Sequence, residues 1–387
     1  MQAASNQSRS QLPFTSLSNR KGRALVLSLR HLGDAVIGAG LINTLTENNP
    51  NLEIDILGRS NLKAVFEELA SFHEFVEIDL PLFRHHRKRL QDIRSAYRTI
   101  ASVRTRRYDY CVNLIGDIRE NFVGKLTGAK YNIAPIWEAG HLFKRKMTDT
   151  GASLLLNAGI SMPASESSFY KSIERFAGGL GLPGLRWKQA IDSSTKDDAL
   201  VALHPGASHP SRQWPSKHWQ DLARSLHHLG YSLIVLGASP ERAHLLDIFN
   251  ETALGFSPEI FTGNMHEFFL RLVRVKTLIG MDSFSVHAAY ALGIPAVVLN
   301  GSADPSILTP PGCIPVSAGH LCNQFPCYYN FSCEGTAQEY ICSRGIECRD
   351  VLIALEKLAA RGLRSGHETH GRIVPPTADA PLRIIGQ

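Results

Sequence analysis

The chain has 387 residues, of which 44% are hydrophobic and 20% charged, an ordinary composition for a globular protein with room for about two domains. Its formal net charge of +6 is too small to indicate nucleic-acid binding. That excess is compatible with an anionic substrate or an anionic membrane surface. No stretch reaches the roughly 18 uninterrupted apolar residues of a membrane-spanning helix, so we expect none.

The two ends of the chain lack the patterns of folded elements. Residues 1–20 are rich in Ser, Gln and Asn and have no continuous apolar region, which predicts a disordered leader rather than a secretory signal. Residues 366–387 carry three prolines and no clear period, which predicts a tail. In the absence of a secretory signal we expect a cytoplasmic protein, in which a disulfide framework is not expected.

Apolar runs alternate with helical spacing through the first half of the sequence, which indicates a parallel sheet with helices on both faces. The last predicted helix of this half has an apolar stripe that includes Ile93, Tyr97 and Ile100. The predicted strands are residues 24–29, 53–57, 75–78 and 108–114, and the predicted helices are residues 35–45, 62–69 and 90–103.

The pattern weakens between residues 163 and 194, and we place the linker between two domains within residues 182–198. We predict an α/β fold of the GT-B type, in which two Rossmann-like domains, residues 21–185 and 195–362, face each other across a cleft. In the second domain the predicted strands are residues 199–204, 232–236, 276–279 and 296–299, and the predicted helices are residues 219–229, 285–292 and 351–360.

Asp34 stands where the first predicted strand gives way to a helix, in the segment LRHLGD of residues 29–34. Ligands of open α/β folds bind at this carboxyl edge of the sheet. The side chain can serve there as an ordinary helix cap or as the general base of a reaction. No G-x-G-x-x-G pattern follows the strand, so the segment is not a dinucleotide fingerprint.

A second polar segment, which contains Asp282, Ser283, Ser285 and His287, lies between a predicted strand and a predicted helix. The free N–H groups and the dipole at the start of that helix would suit a diphosphate. The alternative is plain helix capping, with His287 buried against the sheet. The local pattern leaves both interpretations open.

A third segment begins with His204 and Gly206, and Arg212 follows shortly after. Gly206 permits a close approach of a ligand to the backbone. Arg212 can form a forked contact with phosphate oxygens. Taken alone, the segment also fits a generic loop with a surface arginine.

Five of the seven cysteines lie between residues 322 and 348. Cys322, Cys327, Cys333 and Cys342 could hold one structural zinc or iron ion as four thiolates, with Cys348 as a competing ligand. Their spacings of x4, x5 and x8 are wider than the tight pairs of strong zinc motifs. The alternative is therefore a set of buried thiols that pack a loop.

Residues 84–107 contain nine Lys or Arg and a single acidic residue, Asp92. Such a run usually marks a solvated helix face. The alternative is a charged surface that meets a phosphorylated acceptor.

Taken together, these segments resemble glycosyltransferase family 9, the heptosyltransferases, from about Arg23 to Leu358. The C-terminal cysteines also match a pattern of many members, and the order and spacing of the segments are more specific than any one of them. Phe284 departs from the usual glycine of the family, and Ser283 from the usual threonine. The similar segments are LRHLGDAVIGAGLINTL, RYDYCVNLIGDIRENFVGKLTGAK, HPGASHPSRQWPSKHWQDLA and MDSFSVHAAYALGIPAVVLNGSADP.

The resemblance implies an inverting transfer of a sugar, commonly heptose from ADP-heptose, to a lipopolysaccharide core or a protein acceptor. It implies a catalytic base at Asp34 and a diphosphate contact at Arg212. A glycolipid acceptor would bring the enzyme to the inner face of the inner membrane as a peripheral contact. The resemblance assigns the remaining donor contacts to Asp282, Ser283, His287, Gly237 and Glu241.

We expect Asp34 to take the acceptor proton late in the reaction, because an aspartate near a helix N-terminus is a weak base at rest. No catalytic metal is needed if Arg212 and a helix N-terminus neutralise the leaving diphosphate. Two alternatives stay open at this point. One is a nucleotide-sugar epimerase on the same double-Rossmann plan, and the other is a non-catalytic relative, which Phe284 makes conceivable.

Overall fold

The computed structural model describes residues 16–80, 90–137, 153–163, 165, 168–188, 196–328, 331–364 and 382–384. These residues form two sheets, one of seven strands and one of six, with helices packed on them. Residues 16–188 are called the first half below, and residues 196–364 the second half. The predicted α/β fold with two Rossmann-like sheets is confirmed.

The first sheet contains the strands β1 Lys21–Ser28, β2 Asn51–Gly58, β3 Glu74–Glu77, β4 Tyr110–Asn113, β5 Tyr131–Trp137 and β6 Ala158–Met162. They are parallel and stand in the order β6-β5-β4-β1-β2-β3, so the direction of winding reverses beside β1, as in Rossmann folds. The last five residues of β1 are buried, as expected for a strand that helices cover on both faces. In the register, Leu25 lies between Asp55 of β2 and Cys111 of β4.

The helices described in the first half are α1 Leu32–Asn48, α2 Lys63–Leu69, α3 Leu90–Thr105, α4 Ile118–Leu126 and α5 Phe169–Gly179. Every residue of α1 from Ala35 to Leu45 is buried, because this helix lies between its own sheet and the second half. The sequence did not predict α5, which begins at Ser168, whose side chain caps the helix by accepting a bond from the Lys171 N–H.

The apolar face of α3 differs from the predicted stripe. Ala96, Ile100 and Val103 are buried, whereas Ile93 is 51% exposed and Tyr97 is 74% exposed. The inclusion of Ile93 and Tyr97 in the buried stripe was therefore wrong. Ile100 and Val103 are buried as predicted, and Ala96 takes the place of Tyr97 on the buried face.

The second sheet contains β7 Asp197–His204, β8 Ser232–Leu236, β9 Glu259–Phe261, β10 Val275–Met281, β11 Ala296–Asn300 and β12 Ile314–Ser317. Its order, β12-β11-β10-β7-β8-β9, repeats the winding of the first sheet. The described helices of this half are α6 Ser216–His228, α7 Arg242–Ile248, α8 Glu251–Leu254, α9 Met265–Leu272, α10 Phe284–Ala291, α11 Pro305–Leu308, α12 Ile341–Arg344 and α13 Cys348–Arg364.

The two halves meet through helices that follow their central strands. α1 packs on α10, and α2 packs on α9. A hydrogen bond joins the same surfaces, with Glu68 Oε1 2.8 Å from His266 Nδ1. One hydrophobic cluster contains buried residues of both halves, among them Val36 and Val286. The start of α1, which carries Asp34, therefore lies beside the donor-side helix α10.

Both ends of the described chain return to the first half. Leu17, within the predicted leader, is fully buried, and its N–H donates to the Leu180 carbonyl at 2.8 Å. Leu382–Ile384, within the predicted tail, forms a strand β13 that pairs antiparallel with β6. Residues 1–15 of the predicted leader, residues 366–381 and 385–387 of the predicted tail, and residues 189–195 of the predicted linker lie outside the described residues.

Among the helices that the structure describes, none has both the length and the apolar character needed to cross a membrane.

Candidate active site

Asp34 lies in the first turn of α1, directly after the carboxyl end of β1, and is partly exposed. Its Oδ2 accepts a hydrogen bond from the backbone N–H of His31 at 3.2 Å. The N-cap of α1 is therefore His31 and not Asp34, which makes a capping-box bond from the third helical position. This bond does not remove the alternative, because a carboxylate that caps a helix and remains accessible to solvent can still accept a proton.

A buried cluster of one arginine and two acids lies beside Asp34. Arg30 donates to Glu120 Oε1 at 3.2 Å and also pairs with Asp117. Asp117 caps α4 and accepts a bond from the backbone N–H of Arg119 at 2.8 Å. Both acids are 2% exposed. This cluster was not predicted, although its acids follow the carboxyl end of the predicted strand of residues 108–114.

Glu120 is the unusual member of this cluster. Burial raises the pKa of Glu120 to about 7, the positive charge of Arg30 opposes the rise, and the charges of Asp117 and Asp34 add to it. Its Oε2 is buried and has no hydrogen-bond partner within the part of the chain that the structure describes. The Glu120 carboxyl therefore changes its charge near neutral pH and lies close enough to Asp34 to sense its charge.

His287 lies in the second turn of α10 and contacts the first half directly. A Cβ atom added to Gly33 would lie 2.9 Å from His287 Cδ2 and 3.3 Å from Nε2. Only glycine fits at such a separation, so this residue allows the first turn of α1 to meet the imidazole. On the other side of the ring, Nδ1 lies 2.7 Å from the hydroxyl of Tyr170, which belongs to α5.

The environment keeps this His–Tyr pair uncharged. Burial lowers the pKa of His287, while the nearby charges of Asp282 and Asp34 raise it and that of Arg212 lowers it. Burial raises the pKa of Tyr170 well above its usual value. At neutral pH the imidazole is therefore neutral and the phenol protonated. Tyr170 was missed in the sequence because nothing local connects α5 with α10.

The segment that begins at His204 lies at the carboxyl end of β7, next to the loop after β8. A Cβ atom on Gly206 would lie 2.6 Å from Glu241 Oε1, so this glycine packs against the Glu241 carboxylate. The other oxygen of Glu241 accepts from the Ala238 N–H at 2.7 Å and lies beside Gly237. His204, Gly206, Gly237 and Glu241 are thus brought together at one edge of the second sheet.

Arg212 and Asp282 face each other at the same edge. Arg212 Nη1 lies 3.6 Å from Asp282 Oδ2, and the two side chains are 12% and 3% exposed. The two side chains therefore hold each other in place at this edge. Asp282 precedes α10, so Arg212 lies close to the start of that helix.

No side chain caps the start of α10. Ser283 occupies the N-cap position but makes no side-chain bond to the helix backbone, and its hydroxyl lies 3.3 Å from that of Ser285 and 3.5 Å from His204 Nδ1. Burial lowers the pKa of His204, while the charge of Glu241 opposes the change. A helix start whose N–H groups are not capped, next to a guanidinium group, has the character of an anion site.

Phe284, the departure from the family pattern, points away from this site. Its ring lies 5.6 Å from that of Phe268 and 6.1 Å from that of Phe269, both on α9. The φ angle of Phe284 is not positive, so the described backbone at this turn does not require glycine. The substitution therefore does not obstruct the start of α10.

The four cysteines selected from the sequence are neighbours. Burial raises the pKa of the Cys342 thiol to about 11, and the thiols of Cys322, Cys327 and Cys333 add to the shift. Cys348 lies elsewhere, because its thiol meets Ser225 on α6. Within the described residues, no three of the four sulfur atoms lie within 4.8 Å of one another.

The cysteine segment supports the loop that carries Arg212. The ring of Phe331 stacks on His209 at 4.3 Å. Ser343 Oγ donates to the Gln213 carbonyl at 2.7 Å, and the Trp214 indole donates to the Ile346 carbonyl at 2.9 Å. The loop is therefore held on both sides of Arg212 by residues near the cysteines.

Asp55, His73 and Glu74 form the one group, among the residues with described positions, whose potential metal-ligand atoms lie within 4.8 Å of one another. Arg23 and Arg106 lie 3.1 Å and 3.6 Å from the Asp55 carboxylate. Because two guanidinium groups already balance the buried acid, we interpret this group as an ion-pair network rather than a metal site.

The family model of glycosyltransferase family 9 (heptosyltransferase) matches residues 97–341, more than half of the chain. Lipopolysaccharide heptosyltransferase 3 of Escherichia coli is 22% identical over 291 residues, which cover 71% of this chain and 82% of that protein. These matches favour a transferase over a nucleotide-sugar epimerase.

Solved structures share the fold. A family 9 glycosyltransferase of Veillonella parvula has a TM-score of 0.64 at 18% identity and covers 90% of this chain and 99% of its own. ADP-heptose lipopolysaccharide heptosyltransferase II of E. coli has a TM-score of 0.63 at 19% identity, and the match covers 88% of this chain and 100% of that one. The iron-containing dodecameric glycosyltransferase TibC of enterotoxigenic E. coli has a TM-score of 0.53 at 15% identity, and the match covers 91% of this chain and 82% of that one. The chain therefore belongs to glycosyltransferase family 9, the heptosyltransferase family, and is a glycosyltransferase.

Proposed function

We propose that this glycosyltransferase moves heptose from ADP-heptose to an acceptor hydroxyl with inversion at the anomeric carbon. The observation that carries the proposal is the contact of Gly33 with His287, which brings Asp34 of the first half beside the polar edge of the second. A base and an anion site on facing halves are what a transfer between two bound substrates requires. ADP-heptose occurs in the name of a structural relative, heptosyltransferase II.

In the proposed mechanism Asp34 accepts the proton of the acceptor hydroxyl, whose oxygen forms the new bond to the anomeric carbon. The bond between that carbon and the β-phosphate oxygen breaks, and ADP leaves. Arg212 and the start of α10 stabilise the charge that develops on the diphosphate. The proton moves late, after sugar cleavage has begun, because an aspartate is a weak base.

Neutral His287 lies between the proposed sites of the two substrates. The protonated hydroxyl of Tyr170 donates a hydrogen bond to Nδ1, so the neutral ring carries its proton on Nε2, on the side of Gly33. That N–H can then donate to a ligand oxygen or to the first turn of α1. The donor sugar and nucleotide are held by the remaining polar edge of the second sheet, composed of His204, Gly206, Gly237, Glu241, Asp282, Ser283 and Ser285.

The cysteine group would hold a structural ion, zinc or iron, rather than a catalytic one. Cys322, Cys327, Cys333 and Cys342 share one neighbourhood, and four protein ligands complete a tetrahedral site without an open position. The iron named for TibC supports iron as one candidate. The ion would stiffen the segment that supports the Arg212 loop.

We propose a cytoplasmic enzyme whose acceptor is a lipopolysaccharide core or a protein, with α3 as a peripheral contact to an anionic membrane. Ile93 and Tyr97 are exposed there beside the exposed side chains of Arg94 and Arg98. Flotation with vesicles that contain anionic lipid tests this contact. The variant Tyr97→Ser combined with Ile93→Ser should bind less than wild type, and equal binding would contradict it.

Mass spectrometry of products tests the function itself. Purified enzyme is incubated with ADP-heptose and either a heptose-deficient lipopolysaccharide core or a candidate protein. An acceptor heavier by one heptose residue is the expected result, whereas an altered nucleotide sugar formed without acceptor would indicate an epimerase. No product from ADP-heptose, with product from another nucleotide sugar, would contradict the proposed donor.

A further inference from the structure

Tyr328 has a strained backbone that its neighbours hold in place. Its φ is 55°, in the left-handed region that residues other than glycine rarely adopt. Its N–H donates to the Ser302 carbonyl at 3.1 Å, and Ser302 Oγ donates back to the Tyr328 carbonyl at 3.0 Å. The N–H of Cys327 also donates to the Ser302 carbonyl, at 3.2 Å. Strain of this kind persists where the surroundings fix it, and it concentrates at ligand sites.

The hydroxyl of Tyr328 is buried and makes no hydrogen bond of normal geometry within the described part of the chain, although the backbone N–H of Asp304 lies close enough to oppose the rise that burial causes in the pKa of the phenol. A buried phenol usually finds a partner, because an unpaired polar group costs free energy. The charges of Asp304 and Asp282 act on this hydroxyl, so it faces the same edge of the second sheet as the start of α10. Asp282 Oδ2 is likewise buried without a hydrogen bond, 3.6 Å from Arg212.

Ser302 connects Tyr328 with the loop of Arg212. Its hydroxyl lies 3.2 Å from that of Ser211, the residue before Arg212. A Cβ atom on the preceding Gly301 would lie 3.1 Å from Arg212 Cα, so the two segments are in backbone contact. One short stretch of chain thus sets the positions of both Tyr328 and Arg212.

We propose that the Tyr328 hydroxyl donates a hydrogen bond to the β-phosphate of the nucleotide donor. The inference rests on the proposed function, because it assumes a nucleoside diphosphate in this site. The phosphate would complete three groups that converge here: the guanidinium of Arg212, the uncapped start of α10 and the buried phenol. A neutral donor suits a position near Asp282, where a further cation is not needed and an acceptor would repel the phosphate.

Calorimetry of ADP and AMP with wild type, Tyr328→Phe and Tyr340→Phe tests the proposal. Tyr340 is the matched control, because its hydroxyl lies in the same cysteine segment but donates to Glu334 at 2.6 Å. Tyr328→Phe should lower the affinity for ADP about tenfold, the scale of one hydrogen bond to a charged group. Its affinity for AMP, which lacks the β-phosphate, should change by less than about twofold, and Tyr340→Phe should match wild type for both ligands.

The outcomes separate this inference from the proposed function. Wild-type protein that binds neither nucleotide would overturn the proposed donor. If wild type binds ADP and Tyr328→Phe binds it with the same affinity, the role of Tyr328 is overturned and the proposed donor is not. An equal loss for ADP and AMP would also overturn it, since the β-phosphate would then not be the partner. The ADP-to-AMP affinity ratio remains informative if the variant is partly unfolded, because unfolding lowers the active fraction for both ligands alike.

Discussion

The hydroxyl of Tyr170 lies 2.7 Å from Nδ1 of His287, and this buried hydrogen bond joins the first half of the molecule to the second. The two rings are also stacked, 5.9 Å apart between centroids. The bond fixes the orientation of the imidazole, whose other edge meets Gly33 in the first turn of α1. This pair adds to the packing of α1 on α10 and of α2 on α9, which also sets the relative position of the two halves.

The variant Tyr170→Phe should lower the free energy of unfolding by about 1–3 kcal/mol, because it leaves a buried His287 nitrogen without its partner. Urea denaturation measures the change. Tyr97→Phe is the matched control, since Tyr97 is 74% exposed and should show a change below about 0.5 kcal/mol. Equal stability of both variants would mean that the Tyr170 bond adds nothing to the folded state.

The variant Asp34→Asn should lose at least about a hundredfold in turnover while ADP affinity changes little, as expected for removal of a general base. Steady-state kinetics with the acceptor identified by mass spectrometry, together with calorimetry of ADP, measure both quantities. Asp247→Asn, on the exposed face of α7, is the control and should keep wild-type turnover. Near-normal turnover of Asp34→Asn would leave Asp34 as a helix cap only.

The variant Arg212→Ala should weaken ADP binding by about 1.5–3 kcal/mol, the range for a hydrogen bond to a charged group. The loss also exposes Asp282 to the phosphate without its counter-charge. Arg349→Ala is the control, because Arg349 is 75% exposed and pairs with Glu347 far along the chain from the donor segments. Calorimetry that gives the same dissociation constant for wild type and Arg212→Ala would remove Arg212 from the site.

Glu120 should make folding stability depend on pH in a defined direction. Its pKa in the folded protein is raised from 4.5 to about 7, so the folded state binds a proton that the unfolded state has lost between these values. The stabilisation is fully present below the unfolded pKa and is lost as pH rises through the folded one.

The free energy of unfolding of wild type, relative to Glu120→Gln, should therefore fall as pH rises from about 5 to about 7. Urea denaturation at several pH values measures this difference. Glu356→Gln, on the exposed face of α13, should run parallel to wild type. A difference that rises with pH would mean that Arg30 dominates and the pKa of Glu120 is lowered instead.

Elemental analysis of protein purified without chelator should find about one zinc or iron ion per chain. Cys327→Ser should lose the ion, because it removes one of four thiolates. Cys348→Ser should keep it, since the Cys348 thiol meets Ser225 on another helix. Less than about 0.2 equivalents of metal in wild type would favour thiols that pack the loop without an ion.

Local sequence was sufficient for the elements whose pattern is uninterrupted. The apolar run of β1 and the polar turn after it predicted both the strand and the position of Asp34, because a parallel strand is apolar where helices cover both of its faces. The start of α10 was predicted in the same way from Asp282 and the serines that follow. β5 was not predicted, since Pro135 interrupts its apolar run and removes one backbone donor.

Contacts between distant segments were decided only by the tertiary structure. Tyr170 and His287 are separated by 117 positions, and no periodicity within α5 indicates which helix it will meet. The pairing depends on how two separately wound sheets pack together. The same holds for Cys342 and Cys348, which compete in the sequence as the fourth ligand of a metal site. The chain turns between them into α13, which carries Cys348 to α6 and leaves Cys342 with the other thiols. Sequence determined which residue types are available at each sheet edge, and packing decided which of them meet.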